Sequence, residues 1–170
     1  MKRNFMLPNR LLYGAIVCAV LCSIFVFIFK KPLCERRFSS TQEIDLIYQS
    51  GDVNYVIAHS LEFLNDLEAC RASGHRFRTG EYEQCLWGAS KNLIAAYGSL
   101  GDEVHMKQYL SLWASNMSGL HKEYVYTIDK MLSVCDNTIV GIRRPPWLDI
   151  EMYKSTARRV IKESEPTGQP

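Results

Sequence analysis

Three residues in the middle of the chain have side chains that could bind a metal or act as a nucleophile: Cys70, His75 and Cys85. Thiolate and imidazole are ligands that zinc prefers, but a closed structural site takes four ligands at compact spacing. The chain contains no Cys-x-x-Cys and no His-Glu-x-x-His pair. The sequence therefore predicts no bound metal and no cofactor.

The same residues also define a candidate catalytic site. Glu81 precedes Cys85 on a predicted helix, and His75 lies in the loop before that helix. A cysteine becomes an effective nucleophile when a base or a lowered pKa activates it, and the sequence assigns no base to orient Cys85. Gly-rich phosphate loops and Gly-x-Ser-x-Gly motifs are absent as well. We predict that the protein is not an enzyme and keep a site near Glu81, Cys85 and His75 as an alternative.

A disulfide is a second role for two of these cysteines. Cys70 lies near the end of one predicted helix, and Cys85 lies about one turn into the next antiparallel helix. The α-carbons could then approach within the roughly 4.4–6.8 Å that a disulfide requires. We predict a bond between Cys70 and Cys85, with Cys34–Cys135 as a weaker pairing. Two buried free thiols are the alternative, since cysteine is also a small apolar residue.

Charge and hydropathy divide the chain into two parts. Residues 1–34 carry five lysines and arginines and no acid, whereas the rest of the chain carries 15 bases against 18 acids. A mildly acidic body disfavours a nucleic-acid binder, which needs a basic face. Residues 11–29 are uncharged, and as a helix they would be about 28 Å long, close to the hydrocarbon thickness of a bilayer. They predict a transmembrane signal anchor.

The anchor sets the predicted domain organisation. We expect a cytoplasmic tail at 1–10, the anchor at 11–29, a juxtamembrane linker at 30–40, a helical domain at 41–164 and a disordered tail at 165–170. A long domain that follows the anchor can cross the membrane largely regardless of its charge. We therefore expect a single-pass membrane protein with a cytoplasmic N-terminus and a periplasmic or lumenal C-terminal domain.

Small residues recur at every fourth position within the predicted span. A small-xxx-small face lets two membrane helices approach closely. The pattern predicts a homodimer through the span, and chance occurrence is the alternative. The small residues form two adjacent rows: Gly14, Cys18 and Cys22, and Ala15, Ala19 and Ser23.

The body of the chain has helical periodicity throughout and no sustained strand alternation, which predicts an all-α fold. Helix starts are marked by Asp52, Asp102 and Asp149, and helix ends by Gly74 and Gly101. These signals predict helices from about 41 to 50, 53 to 72, 80 to 100, 103 to 119, 120 to 135 and 150 to 164.

Two predicted turns, 48–52 and 97–102, both end in Gly-Asp between helices. After the second turn, Met106, Tyr109, Leu110 and Trp113 occupy the positions at which a tetratricopeptide hairpin places its packing residues, and Val56 matches after the first. Residues 41–117 thus resemble degenerate tetratricopeptide hairpins. The resemblance implies a groove for a peptide or a partner helix. An ordinary helical bundle fits the same residues.

The last predicted helix carries a basic ridge, which we define as Lys154, Arg158, Arg159 and Lys162. Like charges four residues apart repel mildly, and an acidic partner or an anionic membrane would offset the repulsion. A solvated outer face is the alternative. We predict a membrane-anchored, non-catalytic helical module that docks a protein partner. A regulatory or lysis-type protein acting through its span is an alternative function.

Overall fold

The computed structural model describes residues 14, 16–24, 34, 37–38, 42–120, 127–141 and 144–164. Their regular secondary structure is helical, and they contain no strand, which confirms the predicted all-α class. The chain divides into two compact units, Met1–Arg37 and Phe38–Pro170. The boundary between the units lies within the predicted linker 30–40.

The first unit contains a helical segment at residues 16–24, whose side chains are exposed. The rest of the predicted span, apart from the helical Gly14, lies outside the described residues, as do the predicted tails 1–10 and 165–170. Among the residues that the structure describes, no helix is both long enough and apolar enough to cross a membrane.

The second unit has six helices within 42–120, 127–141 and 144–164. They are α1 (Gln42–Tyr48), α2 (Val53–Ala72), α3 (Glu81–Leu100), α4 (Glu103–Leu120), α5 (Ile128–Gly141) and α6 (Ile150–Ser164).

The predicted capping residues start three of these helices. The Asp52 carboxylate accepts a hydrogen bond from the Asn54 amide at 2.8 Å, and the Asp102 carboxylate accepts one from the His105 amide at 3.1 Å. Asp149 likewise accepts from the amide of the third residue after it, at 2.9 Å. Each bond satisfies an amide that the first turn of a helix leaves without a partner. Gly101 ends α3 with a φ of 76°, a conformation that favours glycine.

The predicted bounds of the fifth helix were wrong. The sequence predicted a helix from about 120 to 135, but α4 continues to Leu120 and α5 runs from Ile128 to Gly141. The Thr127 hydroxyl accepts a hydrogen bond from the Lys130 amide at 3.3 Å. This side-chain cap marks the start of α5. Thr127 was not among the capping residues predicted from the sequence.

Helix α3 is the centre of the second unit, because it contacts each of the other five helices. Thirteen of its 20 residues are buried, among them Ser90, Lys91 and Asn92. A helix that is covered all round needs no polar face. Leu100, the last residue of α3, is 52% exposed, so the covering of the helix ends before its C-terminus.

Two glycines let neighbouring helices approach α3 closely. A Cβ atom at Gly88 would lie 2.9 Å from the Ile44 side chain of α1. A Cβ atom at Gly98 would lie 2.6 Å from the Tyr153 ring of α6 and 3.3 Å from Met106 of α4. These positions have no room for a larger residue without movement of a neighbour.

These contacts favour a bundle over stacked tetratricopeptide hairpins. In a repeat protein each repeat contacts only its neighbours in the stack. Here α3 contacts both α1 and α6, which are far apart in sequence. Trp147, just before α6, packs edge-on against the Tyr48 ring of α1 with 5.4 Å between ring centroids, and its indole N–H donates to the Tyr48 carbonyl at 3.0 Å. The segment that leads into the last helix thus contacts the first helix.

The substitution Gly98→Ala tests this packing. Alanine is a better helix former than glycine by about 1 kcal/mol, so an unhindered site would gain stability. Insertion of a methyl group 2.6 Å from the buried Tyr153 ring should instead cost about 2–3 kcal/mol, the upper part of the range for overpacking. We expect a net loss in the free energy of unfolding of about 1–2 kcal/mol in urea titrations.

Gly88→Ala is the matched comparison, since its Cβ would meet the side-chain ends of Ile44, which can rotate away more easily. Its free energy of unfolding should lie within about 1 kcal/mol of the wild type. A Gly98→Ala protein as stable as the wild type would contradict the close contact with Tyr153.

Candidate binding groove

A groove of about 400 Å³ lies between α5 and α6. Leu132 of α5 and Tyr153, Ala157 and Ile161 of α6 contribute its apolar surface. Asp136 of α5 and Tyr153 of α6 both line the groove, so these parts of the two helices face each other. The volume is in the range of about 300–1,000 Å³ that is common for ligand sites.

The two sides of the groove carry opposite charges. Asp129 and Asp136 line the α5 side, and Lys154 and Arg158 line the α6 side. Asp129 and Asp136 are about two helical turns apart, and Lys154 and Arg158 are about one turn apart. A bound molecule would therefore have an acidic wall on one side and a basic wall on the other. We call these the α5 wall and the α6 wall.

Only part of the predicted basic ridge is available to a partner. Arg159 forms an ion pair with Glu103 of α4 and donates a hydrogen bond to the Ser155 hydroxyl. In the described part of the chain, Lys154, Arg158 and Lys162 make no ion pair. Arg159 therefore belongs to the α4–α6 contact, whereas Lys154 and Arg158 face the groove.

A second cross-helix ion pair strengthens the α4–α6 contact. Lys107 of α4 lies 3.9 Å from Glu163 of α6. Both of its side chains are at least two-fifths exposed, so it contributes little to stability. The pair that Arg159 forms with Glu103 lies on the same side of α6 and likewise joins it to α4.

A buried polar cluster lies where α1, α3, α5 and α6 meet, and we define it as Tyr48, Lys91, Cys135 and Tyr153. The Lys91 ammonium lies 5.3 Å from the centroid of the Tyr48 ring, a cation–π contact. Lys91 is 6% exposed and Tyr153 2%. The hydroxyls of Tyr48 and Tyr153 have no hydrogen-bond partner among the described residues.

Burial dominates the acid–base properties of this cluster. It raises the pKa of Tyr48 to about 12 and that of Cys135 to about 12, although the positive charge of Lys91 opposes the second shift. Burial also raises the pKa of Tyr153 well above its ordinary value. The pKa of Lys91 is lowered by burial, against the attraction of Asp45 and Cys135. At neutral pH the phenols and the thiol are uncharged.

The predicted Cys70–Cys85 disulfide is wrong. Cys34 and Cys70 are the disulfide-bonded cysteines, and Cys85 is a free, buried thiol. Cys135 is also free, which excludes the weaker pairing of Cys34 with Cys135. The Cys85 thiol points towards the Phe38 carbonyl oxygen at 3.7 Å. The sequence placed Cys85 near the end of α2, but α3 turns that side chain into the core.

The alternative catalytic site lacks the properties of an activated thiol. Burial raises the pKa of Cys85 to about 11, and the carboxylates of Glu81 and Glu43 add to the shift. A protonated thiol is a weak nucleophile. The Glu81 carboxylate accepts a hydrogen bond from the Arg78 amide at 2.8 Å, and His75 packs edge-on against Phe77. The described residues contain no group of three or more His, Cys, Asp or Glu arranged to hold a metal ion.

The predicted helix-pairing residues of the first unit are helical and exposed where the structure describes them: Gly14, Cys18, Ala19, Cys22 and Ser23. The Ser23 hydroxyl donates to the Ala19 carbonyl of its own helix at 2.8 Å. Ala15 lies outside the described residues. Pairing of two spans stays a prediction, because a single chain does not test it.

Sequence reasoning missed the acidic wall and the buried cluster. The sequence did not indicate that Asp129 and Asp136 lie opposite the basic ridge, because this depends on the packing of α5 against α6. Lys91 did carry a signal, because it stands as a charge among the apolar and small residues of α3. A charged residue within a helix that is otherwise covered indicates a buried site.

No family model, curated protein or solved structure matches this chain.

The substitution Lys91→Met tests the energetic role of the cluster. Methionine fills a similar volume and removes the cost of burying the ammonium. We expect the free energy of unfolding at pH 7 to rise by about 1 kcal/mol. A lysine whose folded pKa is lowered binds fewer protons in the folded state than in the unfolded state. The wild type therefore gains stability as pH rises from the folded pKa to 10.5, the ordinary value.

The advantage of Lys91→Met over the wild type should thus shrink as the pH approaches 10.5, as measured by urea titrations at several pH values. Lys162→Met, at an exposed site on α6, is the control and should change little at any pH. A less stable Lys91→Met protein would show that the ammonium contributes more to the core than its burial costs.

Alkylation of the thiols tests the cysteine assignment. In denaturant without reductant, iodoacetamide should modify Cys18, Cys22, Cys85 and Cys135 but leave Cys34 and Cys70 unmodified. In the folded protein, Cys85 and Cys135 should also be protected, because they are 2% and 0% exposed. Peptide mapping by mass spectrometry reads out both results. Free Cys70, or Cys85 in a cross-linked peptide, would contradict the assignment.

Proposed function

We propose that this protein is a membrane-anchored, non-catalytic binding module that docks a protein partner through the groove between α5 and α6. The observation that carries the proposal is the pair of bases on the α6 wall, Lys154 and Arg158, which line a groove of mixed apolar and charged surface and make no ion pair in the described part of the chain.

The neighbouring charges support a docking role for these two residues. On the other side of α6, Arg159 and Glu163 pair with acids and bases of α4. The groove side has no such pairing for Lys154 and Arg158, although the apolar side chains of Leu132 and Ile161 lie beside them. Apolar surface with charges around it is typical of a protein docking site.

The exposed apolar residues of the first unit support the membrane anchor. Ile16, Val17, Val20, Leu21 and Ile24 are 48–59% exposed on one helical segment. Large apolar side chains on such a surface favour lipid or protein contact over water. The uncharged run 11–29 has the length of a membrane span.

The oxidation state of the cysteines supports a location outside the cytoplasm. Cys34 and Cys70 are disulfide-bonded, and structural disulfides persist mainly in oxidising compartments. A periplasmic or lumenal position of the second unit agrees with this, as does a cytoplasmic N-terminus.

The double substitution Lys154→Glu/Arg158→Glu tests the docking role. The intact protein, cross-linked in its native membrane and purified, should recover a specific partner. Reversal of both charges should lower that recovery at least tenfold, because attraction becomes repulsion at two positions. Helicity by circular dichroism should stay unchanged, since neither side chain makes an ion pair within the described residues.

Arg76→Glu/Arg78→Glu is the matched control, because it makes the same change in net charge on an exposed loop. It should leave recovery unchanged. Equal recovery from all three proteins would reject docking at the α6 wall.

A further inference from the structure

We propose that the occupant of the groove is a helical protein segment with an apolar stripe between an acidic edge and a basic edge. This inference rests on the proposed function and deepens it, because it specifies the chemistry of the docked segment. Its basis is the presence of an acidic wall and a basic wall on one groove.

Charge complementarity restricts which segments can occupy the groove. A segment with acidic side chains beside Lys154 and Arg158 would satisfy the α6 wall, but the same segment also faces Asp129 and Asp136. Like charges across an interface are repelled strongly. A segment that is acidic on both edges is thus disfavoured by the α5 wall, and one that is basic on both edges by the α6 wall.

The length of the groove suits a short helix. From Asp129 to Asp136 the α5 wall is about 10 Å long, and from Tyr153 to Ile161 the α6 side is about 12 Å long, at 1.5 Å per residue. These lengths correspond to about two turns of a bound helix. Of the apolar residues that line the groove, Ile161 is partly exposed, whereas Leu132 and Ala157 are 4% and 8% exposed. The apolar contact is therefore a narrow stripe between the two charged walls, in a volume of about 400 Å³.

The charges of the groove favour a protein segment over an anionic membrane as its occupant. A membrane surface presents one sign of charge and would bring anionic headgroups against Asp129 and Asp136 as well as against the bases. A peptide with polar groups of both kinds suits this surface better.

The two walls also determine the direction of the bound helix. Turning a helix end for end in the groove exchanges its left and right edges. Only one direction places the acidic edge on the α6 wall and the basic edge on the α5 wall. Reversal of both walls should therefore preserve affinity and reverse the direction of binding.

The test uses the full chain in phosphatidylcholine nanodiscs and a stapled helical peptide, with two glutamates on one edge, two lysines on the other and leucines between them. Binding is measured by fluorescence anisotropy. Lys154→Glu/Arg158→Glu and Asp129→Lys/Asp136→Lys should each weaken binding of this peptide about tenfold or more, since each puts like charges together at two positions. The quadruple variant should recover most of the affinity.

A photoreactive group at the peptide N-terminus reports direction. In the wild type and in the quadruple variant, mass spectrometry should map the cross-links to opposite ends of the groove, one near Asp129 and the other near position 136. Should the quadruple variant fail to fold, the two double variants decide the question. The variant with two acidic walls should prefer a peptide with lysines on both edges, and the variant with two basic walls a peptide with glutamates on both edges.

Three outcomes would overturn the inference. Loss of binding on reversal of the α6 wall alone, with equal affinity for the two-edged and the all-glutamate peptide, would indicate a general anion site such as a lipid headgroup would use. Recovery of affinity in the quadruple variant without a change of direction would also overturn it. Absence of binding to every peptide would also overturn the inference. The proposed function would still stand in that case if Lys154→Glu/Arg158→Glu released the cross-linked partner.

Discussion

Close approach of five helices to α3 is the constraint on which the rest of the structure depends. Gly88 admits Ile44 of α1, and Gly98 admits the Tyr153 ring of α6 at distances that leave no room for a side chain. Because α6 docks on α3 through Tyr153, the position of Gly98 also fixes one side of the groove. Packing in the core and geometry of the groove are therefore coupled.

The same central position explains the buried polar cluster. Residues 88–96 of α3 are all buried, so the helix must bury whatever residue it carries there, and this includes Lys91. The Tyr48 ring contacts the ammonium, and Asp45 partly offsets the loss of water around it. The cost of burying this charge makes the cluster a poor source of stability, and it specifies how α1 and α5 meet α3.

Charge on α6 is divided between two tasks. Arg159 and Glu163 pair with Glu103 and Lys107 of α4, while burial of Tyr153, Ala157 and Val160 sets the rotation of the helix. This rotation turns Lys154 and Arg158 towards α5, where they face Asp129 and Asp136 across the groove. A single amphipathic helix thus packs on the core, forms ion pairs with α4 and provides one wall of the candidate site, because residues three and four apart share a face.

The sequence by itself determined the all-α class, five of the six helices and the caps at Asp52, Asp102 and Asp149, because local hydrogen bonds and helical periodicity need only nearby residues. It also identified the basic ridge. Only the tertiary structure decided that Cys70 is disulfide-bonded while Cys85 is free, that Lys91 is buried and that Arg159 pairs with Glu103, since each depends on residues far apart in the chain. The acidic wall opposite Lys154 and Arg158 arose in the same way, because helical periodicity defines the faces of a helix but not which other helix packs beside it.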